Sequence, residues 1–126
     1  MAGAKSFEEL EVWKASRKLC KEIYEMTNQT AFSKDFSLKD QIRRSAVSIL
    51  SNISEGFERK GEKQFSYFLT IAKGSAGELR CQLYIALDLN YINEKDFDKL
   101  SATVISISKM IYGLINYLKE KQNLAL

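Results

Sequence analysis

The sequence predicts an all-α fold: an antiparallel up-down-up-down four-helix bundle with long helices and short connections. Three observations predict it. The 126 residues contain no proline, which suits long unbroken helices. Apolar residues recur at steps of three and four through four separate stretches, the period of an amphipathic helix. Cap- and turn-forming residues divide those stretches, at Gln29–Phe36, at Lys60-Gly61 and at Asn90–Asn93.

A chain of this length is expected to form one domain, residues 1–126, with a single core. Met1 to Ser6 has no apolar run, so no signal peptide is expected, and no segment approaches the roughly 18 unbroken apolar residues of a membrane span. Cys20 and Cys81 fall inside predicted helices without metal-type spacing, which reads as reduced thiols in a cytoplasmic protein. Nineteen basic against sixteen acidic residues leave a net charge of +3. That balance permits contact with nucleic acid without arguing for it. Histidine is absent, which removes the commonest general base and metal ligand.

The first helix is expected over about residues 7–28. Ser6 is placed to cap it, with Glu9 completing a capping box. Its buried arc reads Val12, Trp13, Leu19, Cys20, Ile23, Tyr24 and Thr27. Lys14, Arg17, Lys18 and Lys21 share the opposite side, either as a solvated face or as a phosphate-contacting one. In the connection that follows, Phe32 and Phe36 are expected to tuck beneath the chain.

Ser37 is the expected cap of the second helix, residues 38–59. Its central part, Gln41 to Gly56, divides into three sectors at about 100° per residue. Ile42, Ala46, Ile49 and Ile53 form an apolar stripe, while Arg43, Ser51, Ser54 and Glu58 mark a solvent side. Between them runs a ladder of short polar groups, Gln41, Ser45, Ser48 and Asn52, ending in Glu55, with Arg44 on its flank. Hydroxyls and amides beside a core stripe, where long charged side chains are usual, point to a second helix packed closely against the ladder.

The third helix, residues 62–89, supplies a matching row: Ser75, Glu78 and Gln82, flanked by Gly74 and Gly77. Two glycines within a helix cost roughly 2 kcal/mol against alanine, so close approach of a neighbouring backbone is expected to offset them. The fourth helix, residues 94–121, begins after Asn93, a good cap with Asp96 three positions on. Phe97, Leu100, Val104, Ile107, Ile111, Leu114 and Leu118 form a heptad seam, the mark of shallow-angle packing. Ile105, Tyr112 and Tyr117 lie off that seam and suggest a subunit contact.

The polar ladder and its counterpart form the one constellation above background: Gln41, Arg44, Ser48, Asn52, Glu55, Ser75 and Glu78. A di-metal bundle site uses Glu-x-x-His motifs, and there is no histidine to build one. A carboxylate site for magnesium wants more acids than Glu55 and Glu78 supply. The cluster therefore reads as a buried interhelix hydrogen-bonding network that fixes register, with Arg44 satisfying one carboxylate. No catalytic residue, metal ligand or cofactor-binding residue is assigned, and no enzymatic activity is expected.

Four motifs in order resemble a known family. They are Phe7–Ala15 (FEELEVWKA), Gln41–Ser48 with Ser51–Gly56 (QIRRSAVS, SNISEG), Phe65–Leu69 with Ile71–Leu79 (IAKGSAGEL), and Asn90-Tyr91-Ile92. Over Phe7 to Leu118 the chain resembles the four-helix-bundle family of the 23S ribosomal RNA intervening sequence, which is bacterial. Members often carry proline in the first connection and glycine before the second helix, where this chain has Ala31-Phe32-Ser33 and Ser37. The resemblance implies a small bundle that assembles as a homopentamer, with no established enzymatic activity. It also implies kinship with the accessory protein of diversity-generating retroelements, which binds a reverse transcriptase and nucleic acid. The expected partners are thus further copies of the chain and RNA or DNA, met by Lys14, Arg17, Lys18, Lys21, Arg43, Arg59, Lys60 and Lys63. The alternative is a protein partner such as a reverse transcriptase. No membrane partner is expected.

Overall fold

The structure, a computed structural model, describes residues 3–29 and 31–125, with side chains to residue 123. Four helices make up the bundle: α1 (Glu11–Thr27), α2 (Phe36–Glu58), α3 (Glu62–Asp88) and α4 (Glu94–Ala125). No strand occurs among the described residues. Consecutive helices are antiparallel neighbours, and α4 closes the bundle against α1. Trp13 meets Ser54 while Arg43 meets Thr27, so α1 and α2 run in opposite directions. Glu62 lies beside Lys121 and Tyr84 beside Phe97, which does the same for α3 and α4.

The core follows the periodic residues. Ile42, Ala46, Ile49 and Ile53 of α2 are fully covered, as are Leu69, Ala72, Ala76, Leu79 and Leu83 of α3. On α4 the predicted seam is buried apart from Leu114, which is half-covered, and Ile115 joins it. On α1 the buried arc is shifted. Ser16 and Met26 are inside with Val12, Leu19, Ile23 and Thr27, whereas Trp13 and Cys20 are half-buried and Tyr24 is exposed. Ser16 and Thr27 enter the core because their hydroxyls donate to the carbonyls of Val12 and Ile23 one turn back, at 2.7 and 2.8 Å.

The helix ends differ most from expectation. Phe7–Glu9 is a separate 3-10 turn, and Leu10, buried with extended backbone, separates it from α1. Ser6 makes no capping bond, and Glu9 accepts from the Lys5 amide instead. The cap of α2 is Asp35, not Ser37: its Oδ1 accepts from the Leu38 amide at 3.1 Å. Its Oδ2 accepts from the Tyr91 hydroxyl at 2.9 Å. The carboxylate thus joins the connection before α2 to the one before α4, and that second bond is why it displaces serine. Phe32 is buried against Tyr91, but Phe36, as the first residue of α2, points outward and is 76% exposed.

The start of α4 reads as expected, while its end lies at Ala125, four residues beyond the expected Lys121, and α3 closes at Asp88 just before Asn90 turns the chain. Asn90 adopts φ 61°, and Tyr91 N–H and Asn90 N–H return to the carbonyls of Ala86 and Leu87, a Schellman ending in which asparagine tolerates the left-handed region. Asn93 Oδ1 accepts from the Asp96 amide at 2.8 Å. No described helix is long and apolar enough to cross a membrane.

Candidate functional site

The polar ladder of α2 and the row on α3 meet along one edge of the bundle, as a cleft of about 250 Å³ between the two helices. At its floor Ser48 Oγ and Ser75 Oγ lie 2.7 Å apart. Asn52 Nδ2 donates to Ser48 Oγ at 3.1 Å and to the Ser48 carbonyl at 2.8 Å. With one lone pair used by Asn52, Ser48 is free to donate its hydrogen to Ser75. Ser45 is buried beside them, and Gln82 Oε1 is buried without a partner among the described residues. This triad of Ser48, Asn52 and Ser75 is the part of the expected network that the structure brings together.

The longer members of the ladder do not join it. Gln41, Arg44 and Glu78 line the cleft from its rim and are exposed, as is Glu55 one turn past Asn52. Gln41 donates to Ser37 on its own helix, and Glu55 pairs with Arg59 at 2.8 Å. Arg44 takes Asp40 at 2.8 Å, not a carboxylate of the ladder. That hydrogen bond and charge raise the guanidinium's pKa above its usual value. The expectation of burial fails for these four for a steric reason. The ladder sits at the margin of the α2–α3 contact, where a serine is short enough to be covered but a glutamine, glutamate or arginine reaches past the edge into water. Neither serine hydroxyl meets a base, and no group of three acidic, cysteine or histidine residues able to hold a metal occurs among the described residues.

The tight approach expected at Gly74 and Gly77 occurs at Gly56. A Cβ there would stand 2.7 Å from Phe68 Cβ and 3.0 Å from Phe65 Cδ1, so only a bare backbone lets α3 pass. At Gly74 and Gly77 a Cβ would meet nothing within 4 Å.

The basic residues fall into two sets. On α1, Lys14 pairs with Glu11 at 3.4 Å and Arg17 lies over the Trp13 ring. Lys18 and Lys21 are exposed without an ion pair among the described residues. At the α2–α3 turn, Lys60 and Lys63 are likewise free, whereas Arg59 is held by Glu55 and stacks on Phe68. Arg43 is not a solvent residue. Its Nε donates to Thr27 Oγ1 at 2.8 Å, its Nη2 to Asn28 Oδ1 and the Tyr24 carbonyl, and its guanidinium lies 4.3 Å over the Tyr24 ring. It clamps the end of α1 to α2, and the acceptors Tyr24, Thr27 and Asn28 at helical spacing were the sequence signal for it.

Residues 8–113 match the family model described as 23S rRNA-intervening sequence protein. The chain belongs to that family. A crystal structure of a protein of unknown function from the S23 ribosomal protein family of Bacteroides thetaiotaomicron is similar to it at 24% identity. The alignment covers 83% of this chain and 95% of that one, with a TM-score of 0.78, and so shows the same fold. Comparison with curated proteins gives no match.

In this member of the 23S rRNA-intervening sequence family, the motif residues hold the bundle together. Trp13 Nε1 donates to Ser54 Oγ at 2.8 Å, tying the first motif to the second. Gly56, closing the second, admits Phe65 and Phe68 of the third. Ser54, a solvent-side position by helical period, is half-buried as the acceptor of tryptophan's single N–H donor, which needs a partner when half-covered.

Proposed function

We propose that the chain is a non-enzymatic factor that works as a homo-oligomer in the cytoplasm and associates with RNA or DNA through its outward lysines. The observation that carries this reading is that, of the basic residues expected to meet nucleic acid, five are free: Arg17, Lys18 and Lys21 on α1, and Lys60 and Lys63 at the α2–α3 turn, meet no carboxylate among the described residues. Cations without an internal partner are available to phosphates, and each one engaged releases counterions. The family's tie to ribosomal RNA genes supports a nucleic-acid partner, and the free thiols Cys20 and Cys81 suit a reducing compartment. A homopentamer is the subunit number that the family likeness implies.

Fluorescence anisotropy with labelled RNA and DNA, titrated with the purified chain, tests the reading. Binding is expected to weaken steeply between about 50 and 200 mM salt, and K18E/K21E is expected to flatten that dependence by about 0.9 in log–log slope per lost contact. Absence of binding at low salt overturns it.

A second reading, a scaffold for a protein such as a reverse transcriptase, is favoured by the apolar side chains left outside the bundle. Tyr67, Tyr84 and Tyr112 are each more than half exposed. Co-purification with a protein partner that survives nuclease treatment would select it.

A further inference from the structure

Along the outer side of α3, Tyr67, Ile71, Gly74, Glu78, Cys81 and Ile85 follow one another at steps of four and three, and all are exposed. On the outer side of α4, Ala102, Ile105, Lys109 and Tyr112 do the same. Sustained three-four spacing is the pattern of a helix packed along another helix. Among the described residues no other helix covers either stripe completely: Ile71, Ile85 and Ile105 keep 38, 43 and 37% of their surface exposed, and the core uses a different seam of each helix.

The two stripes complement each other in size and in charge. That of α3 is narrow at its middle, where Gly74 and Gly77 leave open space beyond the backbone. That of α4 is bulky at its middle, where Ile105 and Tyr112 project, the tyrosine 57% exposed. The α3 stripe carries one acid, Glu78, with the exposed cations Lys73 and Arg80 flanking it along the Gly77 edge, and the α4 stripe one base, Lys109. Neither Glu78 nor Lys109 has an ion-pair partner among the described residues.

Their levels along the bundle also agree. Lys121 stands level with Glu62 and Phe97 with Tyr84, which fixes how α4 is aligned against α3. Counting between these pairs at equal rise per residue puts Ile105 level with Gly77 and Glu78, Lys109 with Gly74, and Tyr112 with Ile71. A rotation about an axis parallel to the bundle moves a second copy without changing these levels, and leaves its α4 antiparallel to the first copy's α3. Such a rotation seats Ile105 and the Lys109 stem over the two glycines. It leaves the Lys109 ammonium one helical turn from Glu78, within the reach of the two side chains.

We infer that the outer stripe of α3 is the docking surface for the outer stripe of α4 of a second copy of this chain, with Glu78 facing Lys109 and the two glycines receiving Ile105. The contact joins different surfaces of the two copies. It therefore closes into a ring, or into a pair that uses the contact twice, according to the rotation. This specifies, and rests on, the self-association proposed above. It also gives the two helix-weakening glycines of α3 a purpose that the isolated chain does not.

The test is sedimentation velocity on the full chain beside thermal unfolding. Gly77→Leu fills space that is empty within the chain and adds a better helix former, so the variant is expected to fold at least as stably as the wild type and to lose the oligomer. Glu78→Lys and Lys109→Glu are each expected to shift the distribution towards monomer, and the double reversal to restore it. A wild-type chain that sediments as a monomer overturns the self-association reading itself. An oligomer indifferent to Gly77→Leu and to both charge reversals overturns this contact alone.

Discussion

The two faces of α3 make different use of small residues. On the face turned to α2, Ser75 and the approach to Gly56 let the helices come close, and every contact that needs the small side chain is present. On the opposite face Gly74 and Gly77 are just as small, and nothing lies against them. The inward face is packed within the chain itself, with Gln82 Oε1 its one unsatisfied group along the cleft among the described residues. The outward one carries a cost in helix stability with no return among the described residues, the return that the proposed contact with a second copy would supply.

Substitutions on the two faces are therefore expected to have opposite signs. Leu79→Ala, at a fully buried inward position, is expected to lower stability by about 2–5 kcal/mol in chemical denaturation. Gly56→Ala follows. The added methyl would overlap Phe68 Cβ, which is attached directly to the α3 backbone and so cannot swing away, and overpacking of this kind costs about 1–3 kcal/mol. Ser75→Ala removes the partner of Ser48 and is expected to cost about 1 kcal/mol. A larger loss would mean that the triad with Asn52 acts cooperatively, and a double-mutant cycle of Ser48→Ala with Ser75→Ala would measure it. On the outward face, Gly74→Ala is expected to stabilise the isolated chain by up to about 1 kcal/mol. A loss at Gly74 would erase the contrast.

The sequence made the bundle legible almost throughout because its signals are periodic. The α2 stripe and the α4 seam depend only on spacing, and both are buried apart from the half-covered Leu114. The helix starts were less legible because caps are decided by single atoms. Ser37 and Asp35 are both credible caps, and the choice falls to Asp35 through Tyr91, which lies 56 residues further along the chain. The candidate site was legible in its short members and not in its long ones. Periodicity assigns Glu55, Glu78, Gln41 and Arg44 to the right side of their helices but is blind to how far a side chain extends. A margin that buries Ser45 and Ser75 and half-covers Ser48 puts those four in water. Arg43 shows the reverse error, since a position on the solvent side still lies within reach of the end of α1.

One carboxylate holding both the first and the third connection makes the two respond together. The bond to Asp35 raises the pKa of the Tyr91 phenol above the usual value near 10. The protonated phenol is thus the form that the fold prefers. Its contribution is complete below the unfolded-state pKa and vanishes as pH climbs through the folded-state one. Amide hydrogen exchange is expected to report this: in strong alkali, protection at the Leu38 and Asn90 amides should decay in step beyond the base-catalysed trend, and Tyr91→Phe should abolish the shared decay. Two loops 56 residues apart in sequence would then loosen as a single unit, from the same pole of the molecule.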